Sequence, residues 1–269
     1  MSMADIENPI KLNVDLKDDI RQAFIVAKYE TMKFTSGKKI LIFGIINIIA
    51  LAAMTAALVL FGDNIDAEDG MGTYISIVGL ILLIGATLFS SVTLVSEFEE
   101  RTSLVLFTKP IRKASIFFGK FMAAFGLNVV FVVIYYVIAM ILVLVVTGGF
   151  TTNSFISLFY CILYIFSLTG IAMLFSAMMK KASSAAILTF VFILLVPGIV
   201  STIILAATVG GITEETVLET WYMLDTASSI ITYSLNGTAT NELLSCIAMI
   251  LWGLVPLILS LHIFRKRQI

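Results

Sequence analysis

Residues 96–120, SEFEERTSLVLFTKPIRKASIFFGK, form a charged island between two long apolar runs. The island begins with Glu97-Phe98-Glu99-Glu100, continues through the apolar piece 104–107 and then carries the basic cluster 109–113 around Pro110. In a strongly apolar chain, such a stretch must lie outside the hydrocarbon of a membrane. Its apolar residues at helical spacing predict a short helix across the membrane face, where a soluble partner docks, but an ordinary loop also fits.

The composition identifies the protein as an integral membrane protein. Hydrophobic residues make up 59% and charged residues only 13% of the chain, whereas soluble domains carry roughly 25% charged residues. Mean hydropathy is +1.05. The two cysteines, Cys161 and Cys246, lie inside apolar runs without a partner at motif spacing, so they are interpreted as small buried hydrophobes.

Residues 1–39 are predicted to form a cytoplasmic segment with an amphipathic helix, followed by a membrane domain at 40–269. Leu12, Leu16, Ile20 and Phe24 recur every fourth residue among charged side chains. The segment lacks the continuous apolar core of a signal peptide. We expect this helix to lie in the membrane interface with its apolar stripe toward the lipid.

Six apolar runs are long enough to cross about 30 Å of hydrocarbon, which takes roughly 20 helical residues. The runs are 40–61, 74–95, 121–146, 154–179, 182–209 and 243–264. Pro197-Gly198 predicts a kink or a local gap in the fifth. The predicted fold is an all-α membrane domain of six transmembrane helices.

Basic residues are confined to one side of this predicted topology. All 17 Lys and Arg lie in the N-terminal segment, the island, 180–181 and 265–267. The charged residues on the other side are all acidic, namely Asp63, Asp66, Glu68, Asp69, Glu214, Glu215, Glu219, Asp225 and Glu242. By the positive-inside rule, both termini and the island are cytoplasmic in a multi-pass protein of the cell membrane.

The long outer segment 210–242 precedes the last span. Trp221 and Tyr222 among acids and small polar residues are typical of an interfacial helix or a re-entrant hairpin. Asn236-Gly237-Thr238 matches a glycosylation sequon on the outer side, a motif that often occurs by chance.

Several kinds of site have no signal in the sequence. Gly119-Lys120 is followed by Phe121, so the chain has no phosphate-binding loop, and one histidine, His262, with two distant cysteines makes no metal or nucleophile site. No cofactor in this chain, no catalytic residue and no nucleic-acid partner are therefore expected. No charged residue lies at the middle of any span, which argues against an ion-coupled carrier.

Polar residues deep in the spans are interpreted first as contacts between helices. They are Asn47, Ser90, Ser91, Asn128, Tyr135, Tyr136, Ser167, Thr169, Thr189 and Thr202. A minority of them would instead line a substrate path or a subunit interface. The candidates for that role are Asn47, Ser90, Asn128, Thr189 and Thr202.

The island and its surroundings resemble the permeases of ABC transporters of the ABC-2 type. The pattern is an acid cluster, a Thr, an apolar stretch, a Pro, a basic residue and a Gly-Lys entering the next span. The matching positions are Glu97, Glu99, Thr102, Leu104, Leu106, Pro110, Arg112, Gly119 and Lys120. The resemblance covers the whole chain and departs from the pattern at Arg101, where many relatives have Gly before the Thr.

This resemblance implies a permease that pairs with a second copy, each copy docking a separate ATPase subunit that carries ATP and Mg²⁺. Segment 102–113 would be the coupling helix, with Leu104, Leu106 and Phe107 in an apolar pocket of the ATPase. Arg112 and its basic neighbours would pair with acids on the pocket rim or with membrane lipid phosphates. The family mainly exports, with drugs, lipids, polysaccharides and peptides among its substrates.

Two other functions remain open at this point. An intramembrane enzyme is disfavoured because no acid, histidine or reactive pair lies at mid-membrane. A membrane scaffold that passes ATPase motion to an outer partner, without substrate crossing, is compatible with the acidic segment 212–242. A polar path at the subunit interface would favour transport, and a dry interface would favour the scaffold.

Overall fold

The computed structural model of the protein describes residues 16–61, 65–99, 112–209, 222–237 and 242–266. All regular secondary structure in these ranges is helical. The helices are α1 (Leu16–Thr35), α2 (Lys38–Phe61), α3 (Ala67–Ile75), α4 (Val78–Gly85), a π-helical turn (Ala86–Ser90), α5 (Val95–Glu99), α6 (Lys113–Thr147), α7 (Asn153–Met178), α8 (Ala182–Val209), α9 (Leu224–Ser228), α10 (Ile230–Tyr233) and α11 (Glu242–Lys266).

Six helical stretches are long and apolar enough to cross a membrane, which confirms the predicted all-α, six-helix fold. They are Lys38–Leu60, Ala67–Glu97, Lys113–Thr147, Asn153–Met178, Ala182–Ile204 and Glu242–Lys266. The second begins at Ala67 rather than 74, and the third begins at Lys113 rather than 121. Because apolarity marks only the part in hydrocarbon, a helix such as the 35-residue α6, about 52 Å long, extends beyond the predicted run.

The segregated charges define two ends of the helix bundle. We call the end at Lys38, Lys113 and Lys266 the basic end, and the end at Asp66 and Glu242 the acidic end. Successive spans run between these ends in alternating directions. The charged island therefore connects two spans at the basic end.

The second span, Ala67–Glu97, is interrupted by the π-helical turn. The Ser91 N–H donates to the Ala86 carbonyl at 3.1 Å, five residues earlier, and Phe89 within the turn is fully buried among aromatic rings. Beyond the turn, the Leu94 and Val95 N–H groups both donate to Ser176 Oγ of α7, at 3.0 and 3.1 Å. This hydroxyl satisfies backbone donors that the disrupted helix leaves unpaired, and it fixes the end of the span to α7.

Helices α7 and α11 cross at a pair of glycines. A Cβ on Gly170 would lie 2.2 Å from the Gly253 carbonyl oxygen, so only glycine fits this crossing. Hydrogen bonds flank it, from Ser167 Oγ to the Met249 carbonyl at 2.5 Å and from Ser260 Oγ to the Met173 carbonyl at 2.8 Å. Small residues and interhelical hydrogen bonds are the main means by which helices associate in lipid.

Substitution of Gly170 by Ala is expected to destabilise the bundle by about 1–3 kcal/mol, because the added methyl group meets backbone atoms that cannot move aside. The matched control is Gly126→Ala in α6, where an added Cβ meets nothing within 4 Å and removes only glycine's helix penalty. Thermal unfolding of the purified variants measures both. Equal unfolding temperatures for the two variants would show that the crossing is not tightly packed.

The connecting segment Tyr222–Gly237 lies alongside the spans on the acidic side of their middle. Trp252 Nε1, near the middle of the 25-residue α11, donates to the Tyr222 carbonyl at 2.9 Å. At the other end of the segment, Asn153 Nδ2 at the start of α7 donates to the Leu235 carbonyl at 2.8 Å. The segment therefore rises from about mid-span to the acidic end, and it includes Asp225.

Candidate functional site

A buried ion cluster at the basic end joins three helices. Lys120 Nζ of α6 lies 2.8 Å from Glu97 Oε1 of α5 and 3.1 Å from Glu30 Oε2 of α1. It also donates to the Thr93 carbonyl at 3.1 Å. The Lys120 side chain is 2% exposed, and those of Glu30 and Glu97 are 9% and 14% exposed.

Three acceptors match the three N–H donors of the Lys120 ammonium group. A buried charge is tolerated when it is paired and fully hydrogen-bonded, and this arrangement meets both conditions. Removing one partner of a buried pair leaves the other charge unpaired and typically costs about 3–5 kcal/mol. The cluster therefore holds α1, the end of the second span and the start of the third in one fixed arrangement.

Glu99 ties the end of the second span to the fifth. Its Oε2 accepts the backbone N–H of Ala182 at 2.8 Å, at the first residue of α8. The first N–H groups of a helix lack partners within the helix, and a carboxylate there satisfies one of them and complements the helix dipole. Glu97 and Glu99 thus connect the start of the island to three other helices.

The other flank of the island is fastened to α1. Arg112, directly before α6, pairs with Asp19 through Nη1 and Oδ2 at 2.7 Å. About two helical turns further along α6, a Cβ on Gly119 would lie 2.6 Å from the Ala23 carbonyl oxygen. Because glycine has no side chain, α1 and α6 can pack closely at this point. Arg112 was predicted to meet ATPase acids or lipid phosphates; its side chain is 56% exposed while paired with Asp19.

The predicted apolar stripe of α1 is described at Ile20 and Phe24, whereas Leu12 and the Leu16 side chain lie outside the described residues. Ile20 and Phe24 of the stripe are 51% and 58% exposed, whereas Ala23, Glu30 and Phe34 are buried against the other helices. The stripe is left available for lipid, as an interfacial helix requires. The position of α1 in a membrane interface stays a prediction.

The proposed docking residues themselves fall in the stretch 100–111, which lies outside the described residues. They are Thr102, Leu104, Leu106, Phe107 and Pro110. Their role stays a prediction. What the structure provides is the anchoring on both sides of this stretch, through Glu97 and Glu99 before it and Arg112 after it.

Four of the five candidate path residues are enclosed within the chain. Asn47, Ser90, Asn128 and Thr189 are 7%, 0%, 2% and 0% exposed. Asn47, Asn128 and Thr189 donate to backbone carbonyls of their own helices, at Phe43, Ala124 and Ala185. Thr202 differs, because it lies on the open surface of α8 and lines a groove there. The role of the five residues in a substrate path or a subunit interface stays a prediction.

Sequence reasoning missed the partners of Lys120 and of the backbone N–H groups at Leu94 and Val95. Glu30 was interpreted as one of the polar residues on α1, and Ser176 did not stand out in its apolar run. No spacing in the sequence relates Glu30 to Lys120, because their contact arises from the packing of α1 on α6. The only available signal in the sequence was Lys120, which directly precedes an apolar run. A lysine needs a partner if it is buried.

Six membrane-length helices with a buried charged cluster at their basic end define a multi-pass membrane protein. A family model described as ABC-2 family transporter protein matches residues 14–269. The chain belongs to this family, whose members are transmembrane permease subunits that work with separate ABC ATPase subunits. A comparison with curated proteins finds no match.

Proposed function

We propose that two copies of this chain and two ABC ATPase subunits form a transporter that exports its substrate across the cell membrane. The observation that carries this proposal is the buried Lys120 cluster, which joins the two ends of the island, at Glu97 and Lys120, to each other and to α1. A rigid attachment on both flanks of 100–111 lets a displacement of that stretch move whole helices. ATP and Mg²⁺ act on the ATPase, and this chain converts ATPase closure into helix movement.

Segment 102–113 is the coupling helix in this proposal. Leu104, Leu106 and Phe107 fill an apolar pocket of the ATPase, which removes otherwise exposed apolar area from water. Lys109 and Lys113 complement acids at the rim of that pocket. Glu99 transmits the same displacement to α8 through its bond to the Ala182 N–H.

The basic end is proposed to face the cytoplasm, because the sequence carries Lys and Arg only in the segments that belong to that end of the predicted topology. In a background with Cys161→Ala and Cys246→Ala, single cysteines at positions 66 and 219 are expected to react with an impermeant maleimide in intact cells. A cysteine at position 113 is expected to react only after permeabilisation. Labelling of position 113 from outside would show that the basic end faces outward. The ATPase could then not dock at this end.

The second copy is proposed to pack against the fifth span. The surface of α8 outside its groove exposes large apolar side chains, including Ile187, Leu188, Phe190 and Val191. The second span, which carries the interface candidate Ser90, is more enclosed, since over half of its most apolar part is buried within the chain. Disulfide cross-linking between copies with cysteines along α8 tests the pairing, and a strictly monomeric active complex would contradict it.

The direct test of the transporter is purification of the tagged full chain from its native membrane. We expect an ABC ATPase, recognised by its own G-x-x-x-x-G-K-[ST] loop, to be recovered in equal amount. Its ATP hydrolysis is expected to be faster in the complex than alone. Recovery of the chain without an ATPase, or with one whose turnover the chain does not change, would contradict the proposal.

A further inference from the structure

Asp225 carries a carboxylate at a level between the middle of the bundle and its acidic end. Its Oδ2 lies 4.0 Å from the place of a Cβ on Gly198, which is near the middle of the 28-residue helix α8. The neighbouring Tyr222 is held by Trp252 at a similar level on α11. The spans themselves carry no acid at their centres, and Asp225 reaches this level from the connecting segment instead.

A lateral groove of about 480 Å³ surrounds this carboxylate. Its lining is apolar apart from Asp225 and Thr202. The lining residues are Leu194, Leu195, Gly198, Ile199, Thr202, Ile203 and Asp225. The volume falls within the range of roughly 300–1,000 Å³ that small-molecule sites occupy. Asp225 is exposed, so its carboxylate is accessible from the groove.

Among the residues that the structure describes, no Lys or Arg forms an ion pair with Asp225. Every basic residue lies in 1–39, 101–120, 180–181 or 265–267. Lys181, the nearest in sequence to the groove, precedes Gly198 by more than four helical turns, roughly 25 Å along the axis. An identical second copy has the same distribution of charges, so pairing of two copies across α8 brings no basic side chain to this level.

A carboxylate at this depth is costly unless it meets a positive charge. We infer that the Asp225 groove binds a lipophilic organic cation, with its positive centre at the carboxylate and its hydrocarbon on Leu194, Leu195, Ile199 and Ile203. That such a cation is the exported substrate rests on the proposed function, whereas its binding does not. A metal ion fits less well, because Ca²⁺ or Mg²⁺ takes six or more oxygen ligands, whereas Asp225 and Thr202 are the two polar side chains in the described lining of the groove.

Binding of tetraphenylphosphonium to the purified full-length permease in lipid nanodiscs tests this inference. Asp225→Asn, which keeps the size of the side chain, is expected to weaken binding at least tenfold. Asp69→Asn is the matched control, since it removes the same charge from an exposed residue of α3 at the acidic end, and it is expected to change affinity less than twofold. Tetraphenylborate, of similar shape and opposite charge, should not compete.

A second variant tests the groove without changing charge. Ile199 is 54% exposed on α8, and Ile199→Trp is expected to fill the groove and weaken tetraphenylphosphonium binding at least fivefold. Unchanged affinity in both Asp225→Asn and Ile199→Trp would overturn the site, as would absence of binding to the unmodified permease or equal competition by tetraphenylborate.

The same preparations separate failure of this site from failure of the transporter. If the ATPase is recovered with the permease but tetraphenylphosphonium does not bind, the groove is not a cation site and the transporter proposal stands. If the cation binds through Asp225 but no ATPase is recovered, the site stands and the transport role fails. Binding that Asp225→Asn preserves at every pH would show that the carboxylate does not take part.

Discussion

Replacing Lys120 by Met is expected to lower the free energy of unfolding by about 3–5 kcal/mol and to release α1 from the bundle. Lys120 Nζ is the shared partner of Glu30 and Glu97, at 3.1 and 2.8 Å. Without it, two nearly buried carboxylates face each other with no positive charge between them. Thermal unfolding of the purified variant is expected to occur roughly 10 °C lower, and limited proteolysis should cut between α1 and α2 sooner.

The matched control is Lys28→Met on α1. Lys28 is exposed, so the same substitution is expected to cost less than about 1 kcal/mol. Equal destabilisation by the two variants would mean that the Lys120 cluster has no special role. Such a result would also mean that the Lys120 cluster does not anchor the flanks of the stretch 100–111.

A rescue experiment separates charge from packing. Adding Glu30→Gln and Glu97→Gln to Lys120→Met removes all three charges while nearly keeping the side-chain volumes. We expect the triple variant to recover at least half of the lost stability, because replacing all partners of a buried charged group costs less than removing one. No recovery would indicate that Lys120→Met acts through packing alone.

The membrane topology could be predicted from the sequence because hydrocarbon imposes a simple rule on composition. Runs of about 20 apolar residues must be helices in lipid, and all six predicted spans are present as helices. Where the helices end was predicted less well. Lys113 and Ala67 begin helices within polar stretches, since helices continue past the hydrocarbon wherever local propensity permits.

The contacts that organise the basic end could not be predicted, because each one joins residues far apart in sequence. Lys120 meets Glu30 across 90 residues, and Ser176 accepts N–H groups from the second span. The depth of Asp225 was missed for a related reason. Local hydropathy of the sequence identifies the spans. The depth of a connecting segment depends instead on which helices it packs against, and hydropathy does not give this.

Leu106→Asp is expected to abolish docking of the ATPase while leaving the permease folded. The residue lies in the stretch 100–111, between the anchored flanks at Glu99 and Arg112. Its side chain is proposed to fill an apolar pocket on the ATPase, where an unpaired charge costs several kcal/mol. Ser103→Asp, which adds the same charge to the same stretch at a polar position, is expected to retain at least half of the ATPase.

The most direct measurement is the amount of ATPase retained on affinity-purified permease, compared between the unmodified chain, Leu106→Asp and Ser103→Asp. We predict near-complete loss of the ATPase and of its stimulated ATP hydrolysis for Leu106→Asp alone, with insertion of the six spans and pairing of the permease preserved. Full retention of the ATPase and its stimulated turnover on Leu106→Asp would show that segment 102–113 is not the coupling helix. The docking surface would then have to lie elsewhere at the basic end, at Lys180-Lys181 or on α1.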